Sequence, residues 1–379
     1  MDGARTTRYI GPNWYAVVMG TAIVATGAEA VPARVPGLRA LGTAAWALSA
    51  LLLAALLAAR AGHFRRHRDV AAAHLADPAT AVFYGCPPMA LLAVGNATLA
   101  AGSRVVGERA AVAADAVLWT AGTVTAAAVA AAIPCLLITR HAHRDAAPNP
   151  TWLLPVVAPM VAAAAGPPLA AHLPPGQPRA TLLCACLALF GASLLATLVV
   201  LPGVWSGLVR GCLGAPVSPL VPTLFLVLGP LGQSTTAVGQ IADAAHAHAA
   251  ELKVFSVLYG VPVMGFALLW LAVAAAANAR ALRAGMPFAM TWWAYTFPVG
   301  TCVTGAAVLA RHTGLAVFSY LSAALYLLLL LAWAVAGART LRGVLDGRLL
   351  RPAPNRPHAP GNGTVAIGAS MGTMPGVPR

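Results

Sequence analysis

The stretch MTWWAYTFPVGT, residues 290–301, sets two Trp, a Tyr and a Phe around one proline inside an apolar run. Proline has no N–H to give the carbonyl four residues back, and hydrocarbon offers that carbonyl no other partner. A helix broken in this way persists in a bilayer only where its irregular backbone is buried in protein or faces a watery cavity. The stretch therefore reads as an interior helix of a membrane bundle.

Composition agrees. The 379 residues are 59% hydrophobic and 9% charged, with a mean hydropathy of +0.77. Soluble domains carry about 25% charged residues, so the fold class is all-α integral membrane. The formal charge is +14. It does not point to nucleic acid, because the arginines sit in short loops and the C-terminal tail and not on one folded face. Six cysteines are scattered through apolar runs without a CxxC or a Cys/His cluster. No metal site, disulfide framework or cofactor is expected. HExxH, Walker A, GxSxG and paired acidic motifs are absent, so the chain does not read as an enzyme.

Spans of about 17–25 apolar residues cross a bilayer. Ten are expected, over 14–31, 37–59, 80–101, 111–138, 151–172, 180–203, 219–241, 253–279, 286–310 and 315–337. With the N-terminus inside, 17 of the 24 Lys and Arg fall on the cytoplasmic side and seven on the other. This asymmetry predicts both termini in the cytoplasm. The chain then divides into three regions: a cytoplasmic N-terminus (1–13), a transmembrane domain (14–337) and a basic, Pro/Gly-rich cytoplasmic tail (338–379). Within the tail, residues 339–351 are expected to form a short basic helix at the membrane surface. The first span has two readings, an uncleaved helix or a signal peptide ending at Ala28–Ala30. The loop pattern works with the helix retained.

Helix breakers are unevenly shared. Away from the span ends, the odd spans hold 19 Gly and Pro and the even spans seven. They include Gly20, Pro87, Pro88, Pro155, Pro159, Gly229, Pro230, Gly232, Pro298 and Gly300. Broken backbone belongs inside, so the odd helices are expected to line a central pore and the even helices to stand outside, as five hairpins. The polar pore candidates are Thr21, Asn96, Gln233, Ser234, Thr235 and Thr301. Thr26, Thr98, Thr223, Thr236, Gln240, Thr291, Thr296 and Thr304 also lie in odd spans, but a hydroxyl can bond back to its own helix. The run GPLGQSTTAVGQ (229–240) interrupts one helix beside a polar cluster, a common way to build substrate sites in membranes. Glu29, Asp115 and Asp243 lie toward the outer ends of their spans and are expected to face water. No Lys, Arg or His stands in the middle of any span.

Four segments carry a resemblance: PNWYAVVMGTAIVATG (12–27), WLLPVVAPMVAAAAGP (152–167), GPLGQS (229–234) and WWAYTFPVG (292–300). Together and in this order the chain resembles the tellurite-resistance/dicarboxylate transporter family, which includes malate permeases, sulfite pumps and the slow-type anion channels of plant guard cells. The resemblance implies ten helices in five hairpins, a homotrimer with one pore per subunit, and passage of small anions. Those anions would be C4-dicarboxylates such as malate, or inorganic ions such as chloride, nitrate, sulfite or tellurite. It also implies a plug: a Phe on the ninth helix closes the channel branch, and the matching position is Phe297. Rival readings are a proton-coupled dicarboxylate carrier, using Glu29 or Asp243, and, from other classes, a membrane-embedded enzyme or a non-transporting sensor. The expected partners are the lipid bilayer and small anions, in the plasma membrane.

Overall fold

The computed structural model describes residues 11–32, 35–66, 74–140, 148–214, 217–245 and 247–350. The tail beyond 350 and residues 1–10 lie outside them. Ten helices are labelled in chain order: α1 Tyr15–Ala30, α2 Leu38–Arg66, α3 Pro78–Val106, α4 Glu108–Arg140, α5 Leu153–Ala170, α6 Gln177–Val209, α7 Leu228–Ala244, α8 Ala249–Arg283, α9 Phe297–Thr313 and α10 Ala316–Leu345. No strand occurs among the described residues.

The odd helices form a closed ring. α1 packs on α3, α3 on α5, α5 on α7, α7 on α9, and α9 returns to α1. Each even helix lies in the groove between two ring members: α2 on α1 and α3, α4 on α3 and α5, α6 on α5 and α7, α8 on α7 and α9, α10 on α9 and α1. Burial matches this division. The most apolar stretch of α5 is 94% buried, and those of α7 and α9 are each 89%. For the outer helices the share is 17–28%. Their remaining surface is mostly Leu, Val and Ala, with exposed aromatic residues such as Trp205, Phe255 and Tyr320. The corresponding stretch of ring helix α3 is 56% buried. Among the described residues nine helices have the length and composition to cross a membrane. The tenth, α1, is short, but with the turn Pro12–Trp14 ahead of it it spans about 30 Å, one hydrocarbon thickness.

All five ring helices change winding at the same end. Tight 3₁₀ segments precede or interrupt them: Pro12–Trp14, Val82–Gly85, Pro150–Trp152, Val221–Val227 and Met290–Tyr295. In four cases proline stands within the first three residues of the α-helical part after the 3₁₀ segment, at Pro87 and Pro88, Pro155, Pro230 and Pro298. None of these can donate to the carbonyl four residues back, which in each case lies in the 3₁₀ segment. Pro159 lies inside α5. The outer helices are wound as α throughout their described lengths.

Neighbouring helices bind polar groups of the ring. Every outer helix donates at least one side-chain hydrogen bond inward. Trp46 Nε1 of α2 reaches Thr98 Oγ1 at 2.9 Å, and Trp119 Nε1 of α4 reaches the Ala162 carbonyl at 2.9 Å. Ser193 Oγ of α6 reaches the Val156 carbonyl at 2.6 Å. Trp270 Nε1 of α8 reaches the Leu224 carbonyl, inside a 3₁₀ segment, at 2.9 Å. Trp333 Nε1 of α10 reaches Thr21 Oγ1 at 3.1 Å. An indole N–H left unpaired in lipid is costly, so each such bond also fixes which face of the outer helix turns inward.

Several boundaries differ from expectation, among them the end of α2, which runs to Arg66 instead of residue 59. α6 runs to Val209 instead of residue 203, because Pro202 and Gly203 do not stop it. Residues 339–345 are not a separate surface helix but the last turns of α10, with a 3₁₀ turn after them at Arg348–Leu350.

Candidate permeation pathway

Three cavities succeed one another along the ring axis, each lined by all five ring helices or their 3₁₀ leaders. The order is read along α1, whose Asn13 and Ala16 line the first, Met19 the second, and Thr26 and Glu29 the third. The proximal vestibule, at the starts of the ring helices, has a volume near 500 Å³. Its polar lining is sparse: Asn13, Thr223 and Thr291. Thr223 and Thr291 give their hydroxyl protons to the carbonyls of Leu220 and Pro219.

The middle cavity is a constriction of about 20 Å³ walled by Met19, Met89, Leu153, Leu154, Val157, Leu226, Gly229, Phe297 and Pro298. That volume admits about one water, and a water needs two to four polar partners. No lining side chain offers one, so the side-chain wall of the constriction is apolar. Phe297 is the first residue of α9 and is 3% exposed. Gly229 faces free space: a Cβ built on it meets nothing within 4 Å.

The distal vestibule, near 330 Å³, is polar. Asn96, Gln233, Thr26, Thr236, Gln240 and Thr304 line it, with Glu29 and Arg311. The charges are paired from behind. Glu29 is bound by both terminal nitrogens of Arg104, at 2.5 and 3.0 Å. Arg311 reaches Asp243 at 2.9 Å. His312 continues the second pair: Nε2 lies 2.8 Å from Asp243 and Nδ1 2.6 Å from Ser256 Oγ. The vestibule thus has a charged lining without a net charge.

Of the residues singled out in the sequence, the structure brings Asn96 and Gln233 to the distal vestibule and Phe297, Pro298 and Gly229 to the constriction. Others do not line these cavities. Thr21 is turned to Trp333 of α10. Ser234 is turned to Tyr259 of α8. Thr235 lies against Gly260 and Gly305, between α8 and α9. Thr301 donates to the Pro298 carbonyl at the α7–α9 seam. Gly20, Gly232 and Gly300 are close-packing positions: an added Cβ would come within 2.3 Å of Thr296, 2.5 Å of Thr301 and Cys302, and 2.3 Å of Ile23 respectively. Their missing side chains let ring helices touch. Pro87, Pro88, Pro155, Pro159 and Pro230 shape the ring backbone without lining the cavities.

The vestibule residues outside the candidate set carried a usable signal. Gln233, Thr236 and Gln240 recur at i, i+3, i+7, one helix face, while Ser234 and Thr235 fall off it. Asp115 corrects an expectation. It does not face water but is fully buried, pressed toward Gly95 of α3, with neither oxygen bonded. Among the described residues no three His, Cys, Asp or Glu side chains gather as a metal site. His246 lies outside the described residues.

Comparison with known proteins adds a lineage. The sequence profile "SLAC1: Voltage-dependent anion channel" matches residues 9–341. The sulfite efflux pump SSU1 of Arthroderma otae is 28% identical over 341 residues, covering 87% of this chain and 89% of the pump. The corresponding pump of Trichophyton rubrum is 27% identical over the same length. An uncharacterized transporter of Methanocaldococcus jannaschii is 25% identical over 342 residues, covering 90% of this chain and 95% of its own.

Proposed function

The chain belongs to the SLAC1 family of voltage-dependent anion channels, and from that premise we propose that small anions pass along the ring axis under the control of Phe297. The protein is a multi-pass membrane protein of anion transport, and not an enzyme. One observation supports the proposal, namely two vestibules separated by a narrow apolar constriction with Phe297 in its wall. A narrow apolar neck stops ions by withholding hydration, and a small displacement of one ring reopens it. No fixed cation stands at the neck, which favours brief contact over tight capture.

The substrates in view are sulfite, carried by the named relatives, other inorganic anions such as chloride, nitrate and tellurite, and C4-dicarboxylates such as malate. Loop arginines support an inner-membrane topology with both termini cytoplasmic, which makes the distal vestibule the outer one. Family resemblance supports a homotrimer with one pathway per subunit. The test is liposome flux of the purified protein with chloride, nitrate, sulfite, malate and succinate, repeated with Phe297→Ala. Failure of every anion to move sinks the pathway. Unchanged flux in the variant sinks the gate.

A second reading, a proton-coupled dicarboxylate carrier, has Glu29 in its favour as the carboxylate lining the distal vestibule. Against it, both distal acids are engaged by arginine.

A further inference from the structure

We infer that the distal vestibule recognises a monoprotonated oxyanion, an anion that keeps one O–H of its own, through side-chain amides left free of internal bonds. This rests on the anion pathway proposed above and goes further, to the class of anion the vestibule fits.

Charge alone does not select here. Glu29 and Arg311 both line the cavity, and each is compensated from behind, by Arg104 and Asp243. Discrimination then falls to hydrogen bonding. Among the described residues no hydrogen bond engages the side-chain amides of Asn96, Gln233 or Gln240. Gln233 is 7% exposed, and its Oε1 is buried without a partner. That oxygen has no exposed surface of its own, so the cavity meets Gln233 through the rest of its side chain.

The hydroxyls add acceptors and not donors. Thr26 gives its proton to the Ile23 carbonyl at 3.2 Å. Thr236 and Thr304 stand 2.7 Å apart, each within reach of a carbonyl of its own helix, Gly232 and Thr301. With the 3.3 Å approach of Thr236 to the Thr301 carbonyl they have two protons for four such contacts, so neither has one to spare for the cavity. What these threonines show the cavity is lone pairs. The Glu29 carboxylate accepts only.

The lining therefore mixes N–H donors, from the amides and Arg311, with acceptors from the threonines, the amide oxygens and Glu29. Chloride or nitrate can only accept; it satisfies the donors and leaves the acceptors facing negative charge. An oxyanion with one remaining O–H accepts from the amides and donates to Glu29 or to the amide oxygen of Asn96 or Gln240.

Hydrogencarbonate and nitrate test this, being planar three-oxygen monoanions of similar size, of which only the first carries an O–H. The full-length protein is reconstituted at mildly alkaline pH, and relative permeability is read from reversal potentials, or from tracer exchange in the same liposomes. Nitrate is the more weakly hydrated ion, so an unselective neck favours it. The expected result is a hydrogencarbonate-to-nitrate ratio of at least one. Gln233→Leu and Gln240→Leu should each lower it roughly tenfold, about 1.4 kcal/mol. Ser234→Ala, one residue along but turned to Tyr259, should keep the wild-type ratio. Gln240 sits at the half-exposed rim, so its variant carries the test if Gln233→Leu does not fold. Nitrate passage with a ratio below one, or with a ratio that both Gln variants leave unchanged, overturns the inference and spares the pathway. No flux of either ion overturns the pathway, and the inference with it.

Discussion

Phe297 and Gly229 wall the same 20 Å³ cavity from adjacent ring helices, one with a phenyl ring and the other with no side chain at all. The wall of the neck thus includes one aromatic ring and one open position. Phe297→Ala removes the ring and should raise anion flux at least roughly tenfold, by letting water into the neck. Planar-bilayer recording checks this, and unchanged conductance would remove Phe297 from the gate.

The open position makes the opposite prediction. Gly229→Ala puts a methyl into free space, so the fold should keep its melting temperature while flux falls. Gly232→Ala, three residues along α7, meets the Thr301–Cys302 backbone at 2.5 Å. Overpacking of that kind costs about 1–3 kcal/mol. Thermal unfolding in detergent should separate the two: a lower midpoint for position 232 only. Equal midpoints would show that the two glycines are not differently placed.

Trp270→Phe removes the donor that serves the Leu224 carbonyl. An acceptor stranded in that low-dielectric setting should cost about 1–3 kcal/mol. Trp205, 57% exposed toward lipid, provides the contrast, and Trp205→Phe should be silent. If both variants unfold alike, the inward hydrogen bond contributes nothing.

Channel and carrier readings diverge on protons. On the channel reading, Glu29→Gln and Asp243→Asn still conduct, and an imposed pH gradient does not drive accumulation of malate in liposomes. Gradient-driven accumulation that Glu29→Gln abolishes would establish the carrier instead.

Much of the architecture was legible in the residues. The excess of Gly and Pro in alternate spans reports which helices have irregular, buried backbone, and the ring is made of those spans. The site was harder to read. Counting polar residues along GPLGQSTTAVGQ gives Gln233, Ser234 and Thr235 equal weight, yet a helix turns about 100° per residue and only one of the three reaches the axis. Glycines were ambiguous for a related reason. A missing side chain serves a void at Gly229 and a helix contact at Gly232, and only the neighbour across the seam distinguishes them. The pairing of Arg104 with Glu29 joins positions 75 residues apart, and neither residue type reveals its partner.

The tight winding at the start of each ring helix has a mechanical consequence. A residue advances about 2.0 Å in a 3₁₀ helix and about 1.5 Å in an α-helix, turning about 120° and 100° respectively. Met290–Tyr295 is six residues long, so rewinding it as α would draw the chain in by about 3 Å and rotate α9 about its axis by about 120°. Phe297 stands only two residues beyond that segment. The proximal half of the ring therefore keeps travel in reserve, as untaken turns of the backbone, and a change of winding can swing the ring of Phe297 further than any rotamer change of its own.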